Sequence, residues 1–468
     1  MGILFTHGQI AAGEGVFPAD LLIEGEKIAQ IGLNLPQDGH TLINVEGKYL
    51  LPGGVDVHTH FDLPVSGTTS SDDFTTGGIA AAFGGTTTHI DFAIQSKGGS
   101  LRAALEQWQA KARNKAVIDY SFHMTITDLS HATEVEIPLL LEAGIPSLKL
   151  LMAYKGSVQV DDETLFRVMQ IAAHHNMLVM THCENGDTIY ALQQQALKNG
   201  HIAPIYHALT RPAALEAEAT QRAIALAEVA GCKLYVVHIT CANALEAVYR
   251  ARRRGLPVMG ETCIQYLFLT ESALDQPDFE GAKYVCSPPL RTANDNLALW
   301  QALREGTLQA LSTDHCPFWF EGGVDGRSAG KELGREAFTK IPNGVPAVEE
   351  RLKLAWHYGV NAHRIDIPRF VAINCTNPAR IFNLYPRKGA LIPGADADVV
   401  VWNPHKAGQI SAAQHHMQVD YSIFEGYQVL GMPEMVFLRG RKIVEGDSWL
   451  GTAGSGQFLP RSAGAPML

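Results

Sequence analysis

Between about residues 51 and 384 the chain alternates short apolar runs with longer amphipathic stretches. The apolar runs read GVDVHTH, GTTTHIDFA, AVIDYSFHMTI, PSLKLLMAY, MLVMTHCE, KLYVVHIT, PVMGETC and LQALSTDH. A helical pattern or a loop follows each. In SLRAALEQWQAKARNK, Ser100 is placed to cap a helix whose Leu101, Ala104, Leu105 and Trp108 recur on one face. Eight strand candidates, each trailed by a helix or loop, predict an α/β fold of the (β/α)8 TIM-barrel type over residues 51–388. A doubly wound open sheet is the alternative, but no glycine-rich dinucleotide loop follows the first strand.

The flanks follow a different rhythm. Residues 1–50 read as strands broken by turns, with hairpin bends expected at Gly25 and Gly47, and the same style returns over 389–450. Both ends together predict a smaller β-sandwich-like domain. Residues 451–468, rich in glycine and proline, read as an extended arm outside the core.

Composition narrows the function. With 37 Lys+Arg against 48 Asp+Glu the formal charge is -11, which argues against nucleic acid as a partner. The basic run Arg252-Arg253-Arg254 sits before Gly255, where cations complement a helix C-terminus. No stretch is apolar enough to cross a bilayer, and no signal peptide is evident. The 7 cysteines form no CxxC pair, so reduced thiols and a cytoplasmic location are expected.

Chemistry on such a barrel gathers at the C-terminal ends of the strands. There the first strand places His58 and His60, the fourth Lys149, the fifth His182, the sixth His238 and the eighth Asp314. Read as a regular strand, GGVDVHTH sends Asp56, His58 and His60 to one face and Val55, Val57 and Thr59 to the other. Asp56 then stands either as a partner orienting a ligand or as a buried residue bonded to backbone. Imidazoles and a carboxylate suit zinc and similar metals, and the set is too large for one catalytic ion that keeps an open position. Two bridged metals are expected. Lys149, buried beside two dications, would have a depressed pKa. A neutral amine there can add CO₂ to give a carbamate, an anionic bridge of two oxygens. The alternative is a lysine reaching to solvent.

Taken together, GGVDVHTH, SLKLLMAYKG, His182, His238 and STDHCPF resemble the cyclic amidohydrolases of the dihydropyrimidinase/D-hydantoinase family. The resemblance extends through DDFTTGGIAAAFGGTTTHIDF, CSPPLR, PNGVPAVEERL and DYSIFEG to GQFLPR. It implies a binuclear zinc site, two Zn²⁺ per chain, bridged by carboxylated Lys149 and a hydroxide. By the same resemblance His58, His60 and Asp314 hold one zinc, His182 and His238 the other, and Lys149 both. It further implies a homotetramer.

Asp62 stands two residues after His60, where dihydroorotases as a family place an arginine and allantoinases typically an asparagine. An anionic substrate is disfavoured beside Asp62 unless another cation compensates, so a neutral cyclic amide or ureide is expected. The resemblance assigns Tyr154 to the developing oxyanion, and the backbone of Ser287 and Asn343 to the amide edge of the ring. Leu63 and Val65, on the segment leaving the first strand, are expected to touch a ring substituent. The implied reaction is hydrolytic ring opening of a 5,6-dihydropyrimidine or 5-substituted hydantoin to an N-carbamoyl amino acid. In it Asp314 serves both as ligand and as proton carrier. An allantoinase-type hydrolase and a non-catalytic scaffold on the same fold are the other readings, and the complete ligand set weighs against the scaffold.

Overall fold

The computed structural model describes residues 2–464 and 468. Eight parallel strands follow one another around a barrel: Gly54–Thr59, Thr86–Ile94, Asp119–Thr125, Ser147–Leu151, Leu178–His182, Lys233–Val236, Val258–Cys263 and Ala310–Ser312. The ring closes where Thr59 bridges His315 and the His60 N–H donates to the His315 carbonyl at 2.9 Å. These are the eight apolar runs of the sequence. They read as continuous hydrophobic segments because helices cover their outer faces. The helix Leu101–Ala112 shows the local logic, with the Ser100 side chain accepting from the Ala103 N–H while Leu101, Ala104, Leu105 and Trp108 are buried. Arg252 and Arg253 lie in the last turn of Ala242–Arg253, as the charge pattern predicts.

The first strand departs from simple alternation. Asp56 pairs with His89 and Thr59 with Asp91, so three steps on one strand match two on its neighbour. This bulge reverses the phase of the side chains. Val55 and Val57 join a cluster with Ile90, Phe92, Leu178, Met180 and Tyr235, whereas Asp56 accepts from Thr313 Oγ1 at 2.7 Å and from the His58 N–H at 3.2 Å. Asp56 therefore orients no ligand ring, and the expected shared face of Asp56 with the two histidines is not found.

Both chain ends contribute to one mixed sheet of nine strands. Its hydrogen-bonded order runs Gln428–Leu438, Val399–Gln409, Tyr49–Pro52, Ile3–Ala12, Gly15–Glu24 and Lys27–Gly32, with Arg441–Glu445 and Ser448–Trp449 beyond the first of these. Phe5 and Phe437 lie three strands apart, roughly 14 Å in a flat sheet. Their rings are nevertheless 5.1 Å apart, so the sheet curls over its own core of Ile10, Leu21, Val399 and Val401. Gly25 turns a hairpin as expected, but Gly47 does not, because Thr41–Asn44 and Tyr49–Pro52 both run parallel to Ile3–Ala12.

The C-terminal segment is extended but is not outside the core; its positions 465–467 lie outside the described residues. Leu459 is buried in the same cluster as Val55 and Val57, and its N–H donates to the Tyr120 carbonyl at 2.7 Å. Arg461 is buried too, donating at 2.9 Å to both Ser121 Oγ and Ser147 Oγ and also to the Phe122 carbonyl. A stretch without periodicity carries no sequence signal of such burial, which arises from the barrel strands it meets.

Candidate active site

The predicted ligands converge at the C-terminal mouth of the barrel. His58 Nε2 and His60 Nε2 lie 3.2 and 3.0 Å from the same oxygen, Asp314 Oδ1. His182 Nδ1 and His238 Nε2 lie 2.9 Å apart. The two groups adjoin, since donor atoms of His58, His238 and Asp314 all fall within 4.8 Å of one another. Phe92 forms a floor, its ring 4.6 Å from His58 and 4.9 Å from His60.

Backbone geometry aims these groups. His238 and Asp314 each lie two residues beyond their strands and adopt φ of 37° and 51°, and Tyr154 has φ 75°. Left-handed backbone at non-glycine residues costs about 1–3 kcal/mol each and concentrates at functional sites. Here it turns the chain sharply where the chemistry-bearing side chains are placed.

Two carboxylates that the sequence reading passed over set the imidazole tautomers. Glu261 Oε1 lies 2.5 Å from His58 Nδ1, and Glu184 Oε2 lies 2.7 Å from His182 Nε2. Each carboxylate accepts a ring N–H, which leaves the lone pair of the opposite nitrogen directed into the cluster. Burial lowers the pKa of His58, His182 and His238, so the rings are neutral. The signals were present: Glu184 follows His182 by two residues, and Glu261 is a buried charge within the seventh strand, Val258–Cys263, which otherwise carried no candidate.

Lys149 is buried, and among the described residues its Nζ has no hydrogen-bond partner. Burial pulls its pKa down to about 8, with Asp314 and Glu261 acting in the opposite direction. Convergent neutral imidazole nitrogens and a carboxylate form a donor set that fits divalent metal, with the Lys149 amine beside it.

Beside the cluster stand the residues expected to handle substrate. Tyr154 lies 5.5 Å from His182, ring to ring, with its hydroxyl in hydrogen-bonding reach of Ser287 and Asn343. Asn343 Nδ2 donates to Ser287 Oγ at 3.0 Å, and Ser287 Oγ lies 3.2 Å from His207 Nε2. The Arg211 guanidinium sits 5.4 Å from the Tyr154 ring and donates to Glu184 at 2.7 Å. Leu63 is buried in the main core, while Val65 is 37% exposed on a short ribbon with Thr68–Thr69. Lys111 donates to the Asp62 carbonyl. It is a compensating cation, so Asp62 alone does not exclude an anionic substrate.

A barrel with residues able to hold a metal ion at this mouth is the architecture of a metal-dependent hydrolase, and the Amidohydrolase family model matches residues 49–443. A D-hydantoinase of Geobacillus stearothermophilus is 49% identical over 98% of this chain and 96% of its own length. One from Streptomyces coelicolor is 48% identical over 97% of each. The crystal structure of a dihydropyrimidinase from Brevibacillus agri superposes with TM-score 0.97, at 46% identity and full coverage of both chains. The chain belongs to the amidohydrolase family and, within it, to the branch of D-hydantoinases and dihydropyrimidinases. It is a cyclic amidohydrolase. Among the described residues no helix is long and apolar enough to cross a membrane.

Proposed function

We propose that this enzyme opens the ring of a neutral cyclic amide, a 5-substituted hydantoin or a 5,6-dihydropyrimidine, to give an N-carbamoyl amino acid. The observation that carries the reading is the juxtaposition of the His58–His60–Asp314 and His182–His238 groups with unpartnered Lys149 and with Tyr154. His58, His60 and Asp314 would hold one ion, His182 and His238 the other, and Lys149, as its carbamate, would bridge them. When bound, the two ions supply an acidified water as nucleophile and a positive field at the attacked carbonyl.

The chain's own residues do the rest. Backbone groups at Ser287 and Asn343 hold the amide edge of the ring, and the Tyr154 hydroxyl donates to the oxyanion as the carbonyl becomes tetrahedral. Asp314 accepts the proton of the attacking water and returns it to the ring nitrogen as the C–N bond breaks. Val65, exposed on its short ribbon, forms part of the wall facing the ring substituent, while Leu63 packs into the core behind it. Relatives and solved structures named D-hydantoinase are 38–49% identical to the chain, against 28% for the structure of an L-hydantoinase from Arthrobacter aurescens, which favours the D series. The test is a rate panel on metal-replete enzyme with dihydrouracil, hydantoin, both enantiomers of phenylhydantoin, allantoin and dihydroorotate. Ring opening of the first three classes, with the D enantiomer faster, is expected. Turnover confined to allantoin or dihydroorotate would refute the assignment.

A further inference from the structure

Lys331 is fully buried and, among the described residues, is paired with no carboxylate. Its Nζ donates to three backbone carbonyls, those of Val285 at 2.9 Å, Pro342 at 2.7 Å and Gly344 at 2.7 Å. An ammonium has three N–H donors, and all are used. The titratable groups around it are the Cys286 and Cys316 thiols and His207. Burial pushes both thiols up, Cys286 to about 12, and pulls His207 down to about 3, so none supplies a counter-charge. Burial likewise draws Lys331 down to about 7. An apolar side chain of the same length would avoid the cost of burying a charge but would take the donor away from these three carbonyls.

The identity of the three carbonyls points to the use. Val285 is two residues before Ser287, and Pro342 and Gly344 flank Asn343. The Gly344 N–H also donates to the Val285 carbonyl at 3.0 Å, so the two segments are already paired, and the lysine fastens the pair from behind. The Asn343 segment is seated in turn on the strand end that carries Asp314. The Cys316 N–H donates to the Val345 carbonyl at 3.2 Å, and a Cβ on Gly344 would come within 2.2 Å of the Cys316 carbonyl oxygen.

We infer that Lys331 is a positioning residue, whose ammonium holds the Ser287 and Asn343 backbone at a fixed distance from the reacting carbonyl. This rests on the ring-opening reading, in which those backbone groups grip the amide edge of the substrate. Because that grip is the same in ground and transition states, its loss should raise KM and spare kcat.

The experiment compares wild-type, Lys331→Met and Lys331→Gln on hydantoin and dihydrouracil, with metal content and melting temperature measured alongside. Lys331→Met is expected to raise KM about tenfold or more with kcat within about threefold and metal content unchanged. Lys331→Gln, which keeps two N–H donors, should show a smaller rise. A lower melting temperature with KM unchanged would overturn the inference, as would loss of kcat at constant KM. Failure of both variants to fold would assign Lys331 to the fold itself and equally overturn it. Should the wild-type enzyme open neither ring, the functional reading fails and the inference falls with it. Turnover by the wild-type with unaltered kinetics in both variants would sink the inference alone.

Discussion

Glu261 Oε1 and His58 Nδ1 lie 2.5 Å apart deep in the barrel, with the Tyr235 hydroxyl donating to the other carboxylate oxygen at 3.0 Å. The carboxylate fixes the ring so that Nε2, beside Asp314, keeps its lone pair. Glu261→Gln keeps the shape but substitutes a neutral group. Metal affinity, followed by chelator competition, should fall about 10–100-fold with little change in melting temperature. Unchanged affinity would make this contact a packing feature.

Lys149 should be read by mass. Under non-denaturing conditions the metal-loaded protein should be one CO₂ heavier than chain plus metals, and acid should remove that mass. Lys149→Ala should bind metal poorly and be inactive, and short carboxylic acids with excess Zn²⁺ should restore part of the activity by replacing the two bridging oxygens. Lys149→Arg should resist rescue, because its fixed positive charge occupies the cavity. Near-normal metal content and activity in Lys149→Ala would eliminate the bridge.

For Tyr154, the burial that raises its pKa keeps the hydroxyl protonated as a donor. Tyr154→Phe should lower kcat about 10²–10³-fold while changing KM much less, since the hydrogen bond forms mainly as the oxyanion develops. Steady-state kinetics on one hydantoin decides it, and an effect confined to KM would make Tyr154 a pocket wall.

Acid stability is expected to depend on Glu349, away from the active site. Burial alone would raise its pKa, but the Lys353 ammonium at 3.0 Å and the His416 N–H at 2.7 Å hold it at about 2. A depressed carboxylate pKa contributes stability that is complete above the unfolded value near 4.5 and is lost as pH falls toward 2. Glu349→Gln should cost about 1–3 kcal/mol at neutral pH and flatten the melting-temperature profile between about pH 5 and 2. A profile parallel to the wild-type's would refute this role.

The barrel was legible because its strands are buried on both faces and its helices carry apolar stripes, so both periods are written directly in the residues. His58, His60, His182, His238, Lys149 and Asp314 were legible as a set because strand ends are where this fold keeps its chemistry. Glu261 and Glu184 left only a positional trace, because their importance lies in which ring nitrogen each faces: for Glu261 that ring belongs to a distant strand, and for Glu184 to its own strand end two residues back. The bulge at Val57 and His58 was hidden for a similar reason, since a single extra residue is a mismatch with the neighbouring strand and leaves no mark on its own. Lys331 reads in sequence as one more charge in a loop, and only the three carbonyls around it reveal a clamp.

The curled terminal sheet also sets a timetable for synthesis. Tyr49–Pro52 pairs with Ile3–Ala12 on one side and with Val399–Gln409 on the other, and the second partner is made about 350 residues after Tyr49–Pro52 in translation order. At roughly 5–20 residues per second, the nascent chain carries that edge unpaired for about 20–70 s. Throughout that interval Leu50 and Leu51, both buried in the finished sheet, stand at an open edge able to recruit another strand. Ribosome-bound chains halted before residue 399 should therefore be far more prone to aggregation and chaperone capture than those released at full length.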